Sequence, residues 1–375
     1  MPGSRHTWID ALRLTAGVSM VGLHASSDAM GQPFADADFG QRLAPLLLRA
    51  VIYTARTELF LIISVFLLMM ALENRPRGYG ATIAQQAQRL LMPFAFWTVF
   101  YAFYSLHKAW HFGYDAALWA QITTPWTWVE YALLGTSKYH MHFIPTLFAL
   151  VLFYPLFRLA AKVPALGLLV IVGLVVKRWA DGILWGQFYD HEMLPLMLRV
   201  VKVMTYCGYG MAAGAAFGIW QRRIDLRPWF NGIVALGLAL FAIKLYATYL
   251  TARDAAWPFQ FTPGYWADFL MPVVLFMAAF ALAQSHWPGV FSRVAKYSFG
   301  IYLCHPIFLD LVEIALRGQV LAPIVLVLIK IIVGIACTVI FVKLLERVRA
   351  LSWTIGLGPL PQFPTPFTLT KEQRL

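Results

Sequence analysis

The sequence predicts an all-α fold, a polytopic integral membrane bundle of about ten transmembrane helices with both termini in the cytoplasm. Three observations predict it. The chain of 375 residues is 60% hydrophobic and only 13% charged, where soluble domains carry roughly 25% charged residues. Its mean hydropathy is +0.66, so the apolar excess is general and not confined to one tail. Apolar stretches close to the ~20 residues that cross a bilayer recur along the chain, without the alternation of strands. Fourteen Trp, 16 Tyr and 28 Phe suit aromatic belts at two interfaces.

The expected spans run over 9–29, 45–71, 90–107, 141–160, 164–180, 199–220, 230–250, 265–285, 298–316 and 320–344. Lys177, Arg178 and Asp181 crowd the end of the fifth, and Pro306 predicts a kink in the ninth. Asp10 and Arg13 interrupt the first apolar stretch, so it reads as a retained span and not as a cleaved signal peptide. Lys and Arg set the orientation. With the N-terminus in the cytoplasm, that side holds Arg5, Arg75, Arg77, Arg158, Lys162, Arg222, Arg223, Arg227, Arg293, Lys296, Arg347, Arg349, Lys371 and Arg374. The opposite loops hold Arg42, Lys108, Lys138, Arg253 and Arg317, with acids such as Asp28, Asp38, Asp190 and Asp254. The Trp- and Tyr-rich segment 108–140 is expected as an interfacial loop. Residues 1–358 form one transmembrane domain, and the Pro-rich tail 359–375 is extended or disordered.

The net charge of +12 does not indicate nucleic acid, because the basic residues are dispersed between apolar segments with no basic run. Cys207, Cys304 and Cys337 sit in apolar segments without metal-site spacing. His140 and His142 form an H-x-H pair without a third ligand, so no metal site is predicted.

Ionisable residues inside spans are costly and are functional candidates. The first span, WIDALRLTAGVSMVGLHA, carries Asp10, Arg13 and His24. Eleven residues separate Arg13 from His24, close to three helical turns, so both share one face. They stand roughly 16 Å apart along the axis, with Asp10 one turn before Arg13 as an ion-pair partner. Such a face suits a long polyanionic donor, its charged head near Arg13 and its reactive end at His24. Taken singly, Arg13 is equally compatible with a snorkelling side chain and His24 with an interfacial histidine.

Arg13, ten residues and His24 resemble the Arg/Lys-X10-His motif of the membrane-bound acyltransferase-3 family. Three further passages agree in order. The segment from Phe60 to Leu68 resembles the second-span FF-x-x-SGF-LL pattern, with Val65 in place of Gly. The run from Arg89 to Pro93 resembles R-x-x-R-LL-x-P, with Gln86 where the first Arg would stand. The segment from Tyr297 to Pro306 resembles SYGIYL-x-HP. His142 stands where the family often has Trp before Phe143. Some members carry an additional extracytoplasmic hydrolase-like domain, and this chain shows none.

The resemblance implies an O-acyltransferase of the bacterial inner membrane. Its donor would be acetyl-CoA or another acyl-CoA, and its acceptor a hydroxyl of a glycan or polysaccharide, lipid-linked in some cases. Polysaccharide assembly proteins and membrane lipids would be its partners. His24 would be the general base, with an ordinary pKa near 6.5. Arg13 and Arg89 would hold donor phosphates, since guanidinium suits phosphate. The further candidates are Asp10, Glu58, Ser64, His142 and His305. Of these, Ser64 is equally a helix-packing hydroxyl, and His305 equally a group that satisfies the backbone freed by Pro306. Direct transfer is preferred over an acyl-enzyme, because no Ser sits in a G-x-S-x-G elbow and no Cys has an activating partner. The competing readings are a transporter or flippase for a lipid-linked glycan and a structural subunit of an assembly complex.

Overall fold

A computed structural model describes residues 6–34, 36–254 and 259–360. Arg5, Lys371, Arg374 and positions 361–375 of the expected tail lie outside the described residues. The described residues form helices and no strand. In chain order the helices are α1 (Thr7–Ala25), α2 (Phe39–Ile52), α3 (Thr57–Asn74), α4 (Tyr79–Phe112), α5 (Asp115–Thr123), α6 (Pro125–Leu134), α7 (Phe143–Val151) and α8 (Tyr154–Lys162). They continue with α9 (Leu169–Gln187), α10 (Leu194–Gln221), α11 (Phe230–Asp254), α12 (Thr262–Ala281), α13 (Val290–Ala295), α14 (Ser298–Ala315) and α15 (Pro323–Arg347).

Each expected span falls on helix, with three differences of shape. The second is divided between α2 and α3 by a break at residues 53–56. Asp38 caps α2 through the Gln41 amide at 2.8 Å, and the break itself places Arg56 beside the bundle interior. The fourth is bent by 61° between α7 and α8, at a break just before Pro155. The expected loop 108–140 is mostly helical. α4 continues to Phe112, and α5 and α6 follow. Proline opens α6 and Gly135, at φ +68°, closes it.

On length and composition, six helical segments among the described residues can cross a membrane, or seven if α7 and α8 count as one bent span. α1, α9 and α10 stand outside that set. They carry Asp10 and Arg13, Lys177 and Asp181, and Arg199 and Lys202, which lower their apolar character. Those three helices supply much of the candidate site.

α3 is apolar all round and buries residues on every face, as a central helix must. Trp8 of α1 is 1% exposed and packs on Phe66, Phe276 and Phe280 with ring centroids 5.6–5.7 Å apart. This pins α1 to α3 and α12. α10 lies close against its neighbours because Gly208, Gly210, Gly214 and Gly218 leave room for them. A Cβ at Gly208 would lie 2.7 Å from the Val170 Cα.

Lys108 and Lys138, expected as loop charges, are buried instead. Lys108 pairs with Asp310 at 3.2 Å and Glu313 at 2.5 Å, and Lys138 pairs with Asp310 at 2.5 Å. Lys330 of α15 also pairs with Glu313 and donates to the Ser27 carbonyl at 2.7 Å. The network ties α4, α14, α15 and the end of α1 together. Arg42, another expected loop charge, is buried and donates to the Ala252 carbonyl at 2.5 Å.

Candidate active site

The helical period places Asp10, Arg13 and His24 on one face of α1, and the bundle surrounds the two ends of that face differently. At the N-terminal end Arg13 pairs with Asp10 at 3.5 Å and donates to the Ser298 hydroxyl at 3.3 Å. Arg13, Ser298, Ser64, Gln86, Arg89 and Lys296 line one cavity of about 210 Å³. The rest of its lining is mainly apolar, from α3, α7 and α14. Arg89 is exposed. Lys296 is held by Glu346 at 2.7 Å. The cavity is thus an apolar slot edged by basic groups. Gln86, where the family pattern has arginine, contributes a neutral amide to it.

At the C-terminal end His24 lies among aromatic rings. The Tyr139 centroid is 4.3 Å away and the His305 centroid 5.4 Å. His140 stands 5.2 Å from His305, so three imidazoles adjoin. His305 and His140 are fully buried. Among the described residues, Nε2 of His24, Nε2 of His305 and both ring nitrogens of His140 have no hydrogen-bond partner.

Pro306 explains the state of His305. Proline has no N–H, so the carbonyl four residues earlier, that of Tyr302, loses its helical donor. His305 Nδ1 lies 2.8 Å from that carbonyl oxygen and 3.2 Å from that of Ile301. A carbonyl only accepts, so Nδ1 carries the proton and a neutral ring keeps its lone pair on Nε2. His305 therefore repairs the kink with one nitrogen, keeps the other without a partner among the described residues, and stacks its ring on that of His24.

The segment carrying His140 and His142 is fixed from several sides. Tyr302 donates to the His140 carbonyl at 2.5 Å. Arg199 donates to the carbonyls of His142 and Leu134, each at 2.6 Å, and to Thr146. Gly135 admits the close approach, since a Cβ there would lie 2.7 Å from the His142 backbone. Phe143 and Tyr302, rings 5.7 Å apart, line the Arg13 cavity while Tyr302 also touches His140. These two rings form the wall between the two ends.

A second cavity, also about 210 Å³, borders α1 at Met20 and Leu23. Glu58, His142, Arg56, Lys177, Lys202 and Tyr206 supply its polar lining. Glu58 accepts from Arg56 at 3.1 Å and from Tyr206 at 2.5 Å.

The candidates thus divide into groups. Arg13, Ser64 and Arg89 share the first cavity, and Asp10 supports Arg13 from outside its lining. His24 meets His305. Glu58 and His142 share the second cavity. Sequence reasoning missed His140 as a neighbour of His24, together with Tyr302, Ser298 and the Lys330 network. Lys330 had a readable signal, a lone cation in the apolar run of α15. His140 had none, because its partners come from distant helices. Among the described residues no group of three or more His, Cys, Asp or Glu side chains could hold a metal ion.

No curated protein and no solved structure matches the chain. A family model described as an acyltransferase domain matches residues 6–343, which includes every passage named above. The chain belongs to the membrane-bound acyltransferase-3 family and is an acyltransferase.

Proposed function

We propose that this protein moves an acyl group, acetyl in the first instance, from a cytoplasmic acyl-CoA to a hydroxyl of a glycan or polysaccharide outside a bacterial inner membrane. The observation that carries this reading is the division of α1. Arg13 sits at one end in an apolar, basic-edged cavity, and His24 sits at the other among histidines with unpartnered nitrogens.

On this reading the donor's phosphates rest at Arg89 and its acyl arm enters past Arg13. The arm passes the Phe143 and Tyr302 wall and brings the thioester to His24. The acceptor oxygen attacks the carbonyl carbon as His24 Nε2 takes the hydroxyl proton. The tetrahedral intermediate then collapses, the C–S bond breaks, and the thiolate leaves and is protonated. The neutral His305 keeps a lone pair on Nε2, so it accepts a proton or orients the acceptor hydroxyl and does not donate to the oxyanion. Glu58, His142 and the second cavity face the acceptor.

Mass spectrometry of surface glycans tests the proposal in cells carrying the wild type, His24→Ala or no gene. Loss of one acyl mass in both the variant and the deletion, at normal membrane levels of the variant, is the expected result, and the lost mass names the group. An acyl pattern unchanged by the deletion would refute glycan acylation under those conditions and make transport the next question. A pattern kept in His24→Ala but lost in the deletion would refute His24 as the base.

A further inference from the structure

The second cavity carries more positive charge than its neighbours neutralise. Arg56 is paired with Glu58 at 3.1 Å and Asp268 at 3.5 Å, and lies over the Phe269 ring at 4.3 Å. Lys244, behind it, shares Asp268 at 2.7 Å. Lys177 is paired with Asp181. Lys202 feels the Glu58 charge but makes no ion pair with a carboxylate among the described residues, and its ammonium lies 5.4 Å from the centre of the Tyr206 ring. Arg199, behind His142, is committed to carbonyls and a hydroxyl. Among the described residues around this cavity the cations therefore outnumber the carboxylates, and Lys202 is the lining cation that shares Glu58 only at a distance, without an ion pair.

An ammonium without an ion pair at bundle depth is costly. The surplus needs an anion, and the cavity offers a place for it. At about 210 Å³ it is smaller than the ~300–1,000 Å³ of drug-sized sites, so it takes one compact polar unit and not an oligomer. Tyr53, Tyr206 and Phe269 provide flat apolar faces beside the charges, as a ring with one polar edge requires. His142 adds an imidazole at the position where the family often has an indole.

We infer that this cavity binds an oxyanion of the acceptor, a sugar carboxylate or a phosphate, with Lys202 as its principal counter-ion. The inference rests on the reading that the cavity takes the acceptor, and it narrows the acceptor class to acidic units. Lys202 is a specificity-determining residue here, since it holds the charged edge of the unit while the reacting hydroxyl faces His24.

Calorimetric titration of the full chain in detergent tests this with glucuronate, glucose and inorganic phosphate. The expected result is saturable heat with glucuronate or phosphate and none with glucose. The anion that binds names the source, an acidic sugar or a phosphate-bearing carrier. Lys202→Met should weaken that binding about tenfold or more, and Lys202→Arg should keep most of it. Equal binding of glucose and glucuronate, or no binding of either anion, would overturn the inference, and the wild-type comparison decides this even if Lys202→Met fails to fold. Anion binding unchanged in a folded Lys202→Met would overturn the role of Lys202. Anion binding without glycan acylation in cells would retire the transfer reading and leave the anion site standing.

Discussion

At the residue scale, His305 has two tasks that a substitution can separate. Its Nδ1–H holds the Tyr302 carbonyl at the Pro306 kink, while its Nε2 has no partner among the described residues and its ring stacks on that of His24. Asparagine carries an amide N–H near the position of Nδ1 and nothing in place of Nε2. His305→Asn should keep the protein folded, with a melting temperature close to that of the wild type, and should lower acylation by ~10²-fold or more, the scale of a lost acid–base group. His305→Ala leaves the carbonyl unsatisfied and should cost about 1–3 kcal/mol as well. Thermal unfolding in detergent beside an acylation assay checks both. Full activity in His305→Asn would reduce His305 to a helix repair. Arg13 bonds Ser298 as well as Asp10, and His24 lies against the rings of Tyr139 and His305.

At the element scale, α10 decides how tightly the bundle closes. Gly210, Gly214 and Gly218 recur every fourth residue on the face that meets α8. A side chain at Gly214 would run into the Phe157 carbonyl, and one at Gly218 into the Ala161 carbonyl. Backbone cannot give way as a side-chain tip can, so Gly214→Val should destabilise by about 1–3 kcal/mol or more. A lower melting temperature in detergent with reduced folded yield is the expected outcome, and an unchanged one would show that α8 moves freely. The spacing of these glycines is legible in the sequence, but which helix they meet is not. Helix α1 shows the same division. The eleven-residue interval put Arg13 and His24 on one face. It carried no information about the Phe143 and Tyr302 wall between them, because those residues come from α7 and α14.

At the scale of the whole molecule, five buried charges from distant segments close one network. Asp310 meets Lys108 and Lys138, and Glu313 meets Lys108 and Lys330. Removing one partner of a buried pair costs roughly 3–5 kcal/mol, chiefly because a charge is left uncompensated. Asp310→Asn leaves three ammonium groups around one carboxylate and should lose about that much stability. Adding Lys138→Met removes one of those cations and should restore part of the loss. A double-mutant cycle read by thermal unfolding measures the coupling, and simple additivity would show that the pair is unimportant. Because Lys330 also holds the Ser27 carbonyl, just beyond His24, the network bears on the site as well as on stability.

The helical class, the position of each apolar segment and the face shared by Arg13 and His24 followed from the sequence alone. Each depends on local periodicity and on the length of chain needed to cross a bilayer. The family was legible for the same reason, since its motifs are short runs of consecutive residues. Which residues meet was decided only by tertiary structure. Lys108 and Lys138 resemble loop cations until Asp310, some two hundred positions away in the chain for Lys108, is packed against them. Lys202 is one of four cations at helix ends in the sequence, and only packing shows that the neighbouring carboxylates form their ion pairs with other residues. A sequence specifies which groups must avoid lipid, and the packing of distant helices determines which partner each of them finds.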